Sequence, residues 1–289
     1  MKVQRLSSID GFIVWDLDAA TTSVGVVRLA PKVLQDGAVL LARTVTYAFA
    51  SFGVPGHGGA SAALSAKAEQ RDTTLTAFVE EVRHHAEERR LRLSAGLGVA
   101  DEDLAPLGWT GPDVGLIATG AVAAARVAAA AVGLDGLSGR RVAIVGSGPV
   151  AEAAATAVTE SADARLVDAR FDAEADVLFV AGKPGCLDHD TAETVRARVI
   201  VPLTLVPVTA RALAVLGRAD RVVVPDFLST AASLLATHDP AGGDVDIRIA
   251  DAVGRVADAG TGMWLAATRR AEEYLTSWTG EKPFGRPLA

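Results

Sequence analysis

The chain has 289 residues, half of them apolar and only 5% aromatic, with a net charge of −7. That length suits one large or two medium domains with cores built mainly from Ala, Val and Leu. The acidic balance, without any Lys/Arg cluster interleaved with aromatics, excludes a nucleic-acid partner, and the single Cys186 excludes an internal disulfide or a cysteine-rich metal site.

Two strand-like runs come first, Gly11 to Leu17 and Val24 to Ala30. Apolar Val39, Leu40, Ala42, Val45 and Phe49 then fall at three- and four-residue spacings, which reads as a helix from Gln35 to Ala50. A glycine loop, Gly53-Val54-Pro55-Gly56-His57-Gly58-Gly59, breaks it and leads into a small-residue strand near Ala60 to Ser65. Asp72 is placed to N-cap the helix of Leu75, Phe78, Val79 and Val82. The run Glu80 to Arg92 alternates in sign and contains His84 and His85, which reads as a solvated helix face rather than a metal site. A strand from Leu91 to Val99 completes a β-β-α-β-α-β unit, residues 1–112, closed by Trp109-Thr110-Gly111-Pro112. The apolar stretch Val114 to Leu134 carries Arg126 and reads as an alanine-rich helix of a soluble protein, not a membrane span. No signal pattern opens the chain, so a cytoplasmic location is expected.

The most telling stretch follows. Val142 to Val145 meets Gly146-Ser147-Gly148-Pro149-Val150-Ala151 and an alanine-rich helix, and the next strand, Ala164 to Val167, ends at Asp168. This is the order of a dinucleotide-binding unit. Gly146 permits the tight turn, Gly148 lets the backbone approach a pyrophosphate, and Ala151 allows close helix–strand contact. Pro149 suits a first helical turn, whose free N–H groups and dipole favour an anion. Asp168 stands where the ribose ligand belongs and favours NAD over a 2′-phosphorylated cofactor, although Arg165 and Arg170 lie nearby. A turn that binds nothing, or another adenosyl ligand, is the competing reading. Only Ala169 to Asp176 separates Asp168 from the next strand, too short for a helix and a strand, so the sheet is expected to lack one there. Strands at Val177–Ala181, Val199–Val201 and Arg221–Val224 alternate with helices starting near Asp190 and Thr209, implying a parallel sheet. Ala181 and Lys183 close the cofactor set at the carboxyl edge. A last long helix falls between Val245 and Thr279, with residues 262–289 packing back on the first domain and 113–261 forming the nucleotide domain.

Together these pieces resemble the glutamate/leucine/phenylalanine/valine dehydrogenase family. The resemblance rests on Val45-Thr46-Tyr47 with Val54-Pro55-Gly56-His57-Gly58-Gly59, on Leu137 to Ile144, on Val177 to Ala181, and on Pro225-Asp226-Phe227-Leu228. It implies a two-domain α/β protein, with an N-terminal substrate and dimerisation domain and a Rossmann-like domain; the short link 169–176 departs from the family and shortens the second half-unit of that domain. It also implies a homo-oligomer, a dimer at least, and a small-molecule substrate.

The family's chemistry uses two lysines and an aspartate, and the matched positions here hold Ala48, Ser61 and Ser94. Thr204 and Thr230 stand where the family has asparagines. The chain has five lysines, Lys2, Lys32, Lys67, Lys183 and Lys282, none in register with the vacant places. Alanine offers no charge-assisted contact to a substrate carboxylate, and losing an acid–base group typically costs ~10²–10⁴ in rate. Deamination of a free α-amino acid is therefore not expected. The polar groups left as catalytic candidates are His57, Tyr47, Ser61 and Ser94. Each has a plainer reading: an exposed loop histidine, a tyrosine packed with its hydroxyl at the surface, and serines that merely enlarge a pocket. The acidic Asp101-Glu102-Asp103 reads as a helix start. Three functions follow: an NAD-dependent oxidoreductase with altered substrate chemistry, a nucleotide-sensing or inactive scaffold, or a non-redox enzyme on the same fold.

Overall fold

A computed structural model describes every residue except 89, 161, 240, 281, 282, 284 and 289, so Lys282 and the end of the expected C-terminal segment lie outside the described residues. The chain divides into two compact units. One comprises Met1–Pro112 with Tyr274–Pro287, and the other Asp113–Glu273 with the last residues.

The first unit is a five-stranded mixed sheet, β1 (Lys2–Arg5), β2 (Gly11–Trp15), β3 (Thr22–Ala30), β4 (His57–Ser65) and β5 (Leu91–Ala95), in the order β1-β2-β4-β3-β5. β1 was not evident in the sequence: its four residues are charged, polar or exposed, and only pairing with β2 makes them a strand. Its turn is tied to the helix Arg71–Glu87 by Glu81, whose carboxylate accepts from the N–H and hydroxyl groups of Ser7 and Ser8. Burial pushes the Glu81 carboxyl up, but those four hydrogen bonds outweigh it and hold it at about 2.

Period-two alternation in β3 buries Ser23, Gly25, Val27 and Leu29 on one face. Val27 and Leu29 join Phe78, Leu75 and Val82 of helix α2 (Arg71–Glu87) in the larger core. The opposite face of β4 is covered by α1 (Gln35–Ser51), whose Ala38 and Ala42 pack on Ala63 and Val14. Asp72 lies in the first turn of α2 and is not its cap; the cap position falls to Gln70, because a short 3₁₀ turn, Ala68–Gln70, leads directly into the helix. β5 ends at Ala95, earlier than Val99, since Gly96 and Gly98 follow at once. The short helix α3 (Asp101–Leu104) opens as its acidic start implies: Asp103 accepts from the Ala100 N–H and pairs with Arg71.

One of the two histidines departs from the expected solvated face. His84 is exposed, but His85 turns inward, its ring 5.4 Å from Trp15 in an edge arrangement and 3.7 Å from the His84 ring. Helical spacing places His85 beside Val82 and Ala86, on the apolar flank rather than the charged one. Burial lowers its pKa from the ordinary value, helped by His84, Arg90 and Lys2 and opposed by Glu88. The folded protein thus keeps His85 neutral where the unfolded chain takes a proton. Stability is fully present above the unfolded pKa of about 6.5 and falls as pH drops below it. Urea midpoints measured at pH 7.5 and 5.5 are expected to differ less in His85→Gln than in the wild type; equal differences would mean that another group governs the acid limb.

The second unit is a parallel sheet of β6 (Arg141–Gly146), β7 (Arg165–Leu166), β8 (Val177–Ala181), β9 (Val199–Pro202) and β10 (Val222–Val223), in the order β10-β9-β8-β6-β7. The short link 169–176 leaves no strand outside β7, as its length demands. Helices α4 (Val114–Ala131), α5 (Pro149–Glu160), α6 (His189–Thr194), α7 (Ala210–Arg218), α8 (Asp226–Ser229), α9 (Ala232–His238) and α10 (Val245–Ala257) surround it. Among the described residues α4 alone is long and apolar enough to cross a membrane; here its small side chains pack against α5, α9 and α10. The expected last long helix is in fact two, α10 and α11 (Met263–Trp278), interrupted at Asp258–Gly262, where Gly260 and Gly262 form a 3₁₀ turn.

Candidate functional site

Within the first unit, α1 and β4 approach as closely as backbones can. A Cβ on Gly59 would run into the Ala42 carbonyl, and the Gly59 N–H donates 2.9 Å to the Thr46 hydroxyl. Beside this contact Asp16 accepts from Arg43 at 3.0 Å, with both side chains almost completely buried. Burial pushes the Asp16 carboxyl up, while the Arg43 guanidinium and the Thr46 hydroxyl pull it down.

The four catalytic candidates separate around this core. His57 opens β4 rather than sitting in a loop, because His57-Gly58-Gly59 pair with Thr22-Ser23-Val24 of β3. Its Nδ1 lies 3.0 Å from the Pro55 carbonyl, and its half-buried ring is 4.8 Å from Phe49 at the end of α1. Tyr47 is 1% exposed, so the plainer reading of a surface hydroxyl fails. Ser61 lies four residues along β4 from His57, fully buried, and its Oγ has no hydrogen-bond partner among the described residues. Ser94 shares a register row with Ser61, Val26 of β3 standing between them, which separates the two by about 9.5 Å. The Ser94 hydroxyl donates to the Gly25 carbonyl 3.1 Å away. The structure therefore brings His57 to α1 and sets Ser61 and Ser94 on one sheet face, without gathering all four at a point. Ala48, where the resemblance implies a lysine, is buried.

In the second unit the glycine turn is open. Gly146 has φ +119 and Gly148 φ +96, and a Cβ on Gly146 would collide with the Ala181 carbonyl on the neighbouring strand. Gly146, Ser147 and Pro149 are exposed and Gly148 and Val150 half-buried. The N–H groups of Ser147 and Gly148 meet no acceptor among the described residues. Ala151 is buried, as close helix–strand packing requires. Asp168, just past β7, is exposed. Next to it runs a groove of about 600 Å³, lined by Val145, Arg170, Phe171 and Asp172 and across from them by Asp190 and Thr191 of α6. Arg170 does not point freely into this groove: its guanidinium makes two bonds to Asp172, at 2.9 and 2.6 Å. Those bonds, and the negative charges of Asp172 and Asp168, raise its pKa. Lys183 is exposed on the turn after β8, and Thr204 donates 2.7 Å to the Gly182 carbonyl. A turn of open N–H groups, a carboxylate at the ribose position and a groove of this size fit a dinucleotide. Phe171, Asp190 and Thr191 escaped the sequence reading because they reach the groove from separate segments with no local motif.

The hetero-hexameric glutamate dehydrogenase of Thermus thermophilus, in its leucine-bound form, superposes with a TM-score of 0.73 at 23% identity, covering 91% of this chain and 84% of that one. This chain has the amino-acid dehydrogenase fold. The L-tryptophan dehydrogenase of Nostoc punctiforme matches over 96% of both chains, with a TM-score of 0.71 and 18% identity. The glutamate dehydrogenase of Plasmodium falciparum gives 0.71 at 12% identity, over 92% of this chain and 79% of that one. No family model matches the sequence, and no curated protein matches it either. The likeness read from the motifs thus holds at the level of the amino-acid dehydrogenase fold, with a Rossmann-like parallel sheet as expected.

Proposed function

We propose that this protein is an NAD-dependent oxidoreductase that acts on an imine, a modified amino acid or another carbonyl compound rather than on a free α-keto acid. The observation that carries the reading is the open Gly146–Ala151 turn beside the groove at Phe171. The N–H groups of Ser147, Gly148 and Val150 would hold the pyrophosphate at the start of α5, with Pro149 setting the first helical turn. Asp168 would take the ribose hydroxyls, and Ala181 and Lys183 would border the cofactor at the carboxyl edge. Asp172 occupies Arg170, which removes the cation best placed to receive a 2′-phosphate and supports NAD over NADP. Bound cofactor supplies hydride chemistry; the chain supplies placement and a polar surround.

The small buried residues at Ala48 and Ser61 support a substrate without a free carboxylate, since neither offers a cation. His57 takes the acid–base role, with Tyr47, Ser61 and Ser94 shaping and polarising the site. Solved relatives of the fold include a hetero-hexamer, which supports self-association, dimeric at least. A cytoplasmic enzyme with a small-molecule substrate fits the composition.

A second reading has its own support. The same two positions suit a chain that has kept the nucleotide unit and lost the chemistry, acting as a nucleotide-sensing subunit. Calorimetric titration separates the cases: NADH is expected to bind with a ~micromolar Kd and NADPH at least about tenfold more weakly. Silence for both cofactors would remove the dinucleotide from either account. Deuteride transfer from labelled NADH to a cyclic imine marks the enzyme; tight binding without transfer to any carbonyl or imine marks the sensor.

A further inference from the structure

Val206 is a β-branched residue with φ +54, 1% exposed, and it precedes Pro207. The branching and the following proline both oppose that backbone conformation. Branching at Cβ crowds the left-handed region, and a following proline restricts the residue further. Such a conformation persists only where the surroundings over-determine it.

What holds it is visible. The Val206 N–H donates 2.7 Å to Oδ2 of Asp226, a carboxylate only 4% exposed on the first turn of α8. The Val206 carbonyl faces the other way and accepts from the Gly185 N–H at 2.9 Å. From there the two loops at the carboxyl ends of β8 and β9 are joined rung by rung. Leu187 N–H donates to the Pro207 carbonyl at 2.9 Å, Thr209 N–H donates to the Leu187 carbonyl at 3.1 Å, and Leu187 pairs with Val208 as a parallel bridge. At the near end, Thr204 bonds both the N–H and the carbonyl of Gly182, which follows the Ala181 that stands opposite Gly146. A buried carboxyl group is thus connected through one strained residue to the turn that carries Lys183, one strand away from the glycine turn.

We infer that Asp226 is a positioning residue: through Val206 it holds the 182–187 loop at the dinucleotide edge of the sheet. The clamp itself stands on the hydrogen bonds; what it serves rests on the dinucleotide reading proposed above. A carboxylate suits this post because an ionised acceptor makes the stronger bond to an N–H, and a strained peptide needs one.

Hydrogen exchange on the full-length protein, together with NADH titration, tests the inference in Asp226→Ala and Asp226→Asn. Asp226→Ala is expected to speed exchange of the 182–187 peptide at least about tenfold, with peptides of β4 unchanged, and to weaken NADH binding about tenfold. Asp226→Asn keeps an oxygen acceptor in the same place and returns both to within about threefold of wild type. Should the alanine variant fail to fold, the asparagine variant carries the test through that smaller, localised change. Unchanged exchange at 182–187 in a folded variant overturns the clamp. Faster exchange with unaltered NADH affinity overturns the positioning role. Faster exchange in a protein whose wild type binds no NADH supports the clamp and refutes the dinucleotide reading instead.

Discussion

Gly146→Ala is expected to abolish NADH binding and to destabilise the second unit by about 2–6 kcal/mol. Two costs add. A side chain at φ +119 leaves the regions that L-residues populate, a strain of about 1–3 kcal/mol. The new methyl group also meets the Ala181 carbonyl oxygen, which belongs to β8 and cannot move without shifting a strand; overpacking of that kind costs about 1–3 kcal/mol more. Gly148→Ala makes the comparison informative. Gly148 shares the positive φ, but open space surrounds its would-be Cβ, so only the conformational cost of about 1–3 kcal/mol applies. Both substitutions are expected to weaken binding, yet urea unfolding should separate them, with Gly146→Ala the more damaged. Equal midpoints for the two variants would show that β6 and β8 have room the geometry denies. Retained NADH binding in Gly146→Ala would dissociate the turn from the cofactor.

The second large effect concerns the buried ion pair of the first unit. Asp16→Ala leaves the Arg43 guanidinium buried and without its carboxylate, and breaking a buried pair from one side typically costs about 3–5 kcal/mol. The Asp16 backbone stays bonded to Gly59 through its N–H, so the loss belongs to the side chain. Removing Arg43 as well is expected to cost less than the sum of the two single losses, because the two side chains contact each other directly. Urea midpoints of the two single variants and the double variant form the cycle. Additive losses would mean that the pair is not coupled at its 3.0 Å separation. Such a pair is poor at raising net stability, since desolvation offsets most of the attraction. It is good at punishing misalignment of α1 against β4, the contact that places His57.

How much of this was legible beforehand depends on the range of the signal. The strand-like run at 24–30, the alanine-rich α4, the strand–glycine–helix order at 142–151 and the brevity of 169–176 each lie within one short window. Each was read correctly from composition, turn chemistry or length. β1 carried no such pattern, and His85 looked like one charge-run residue among others until Trp15 of β2 packed beside it. The helix break at Gly260–Gly262 was written in the sequence, but low helix propensity alone does not decide between a tolerated glycine and a stop. The site divides in the same way. Gly146 to Ala151 and Asp168 stand out as candidates by spacing, whereas Phe171 of the 169–176 link meets Asp190 and Thr191 of α6 only in the folded unit.

Sequence alone determined the two α/β units and the strand–glycine turn–helix order at 142–151, because those depend on neighbours a few residues apart. Tertiary structure decided the rest. Asp16 and Arg43 are 27 residues apart, and Val206 and Asp226 are 20 apart. No periodicity links such distant residues; each pair is chosen by which backbone approaches which, and by the cost of leaving a buried charge or N–H without a partner.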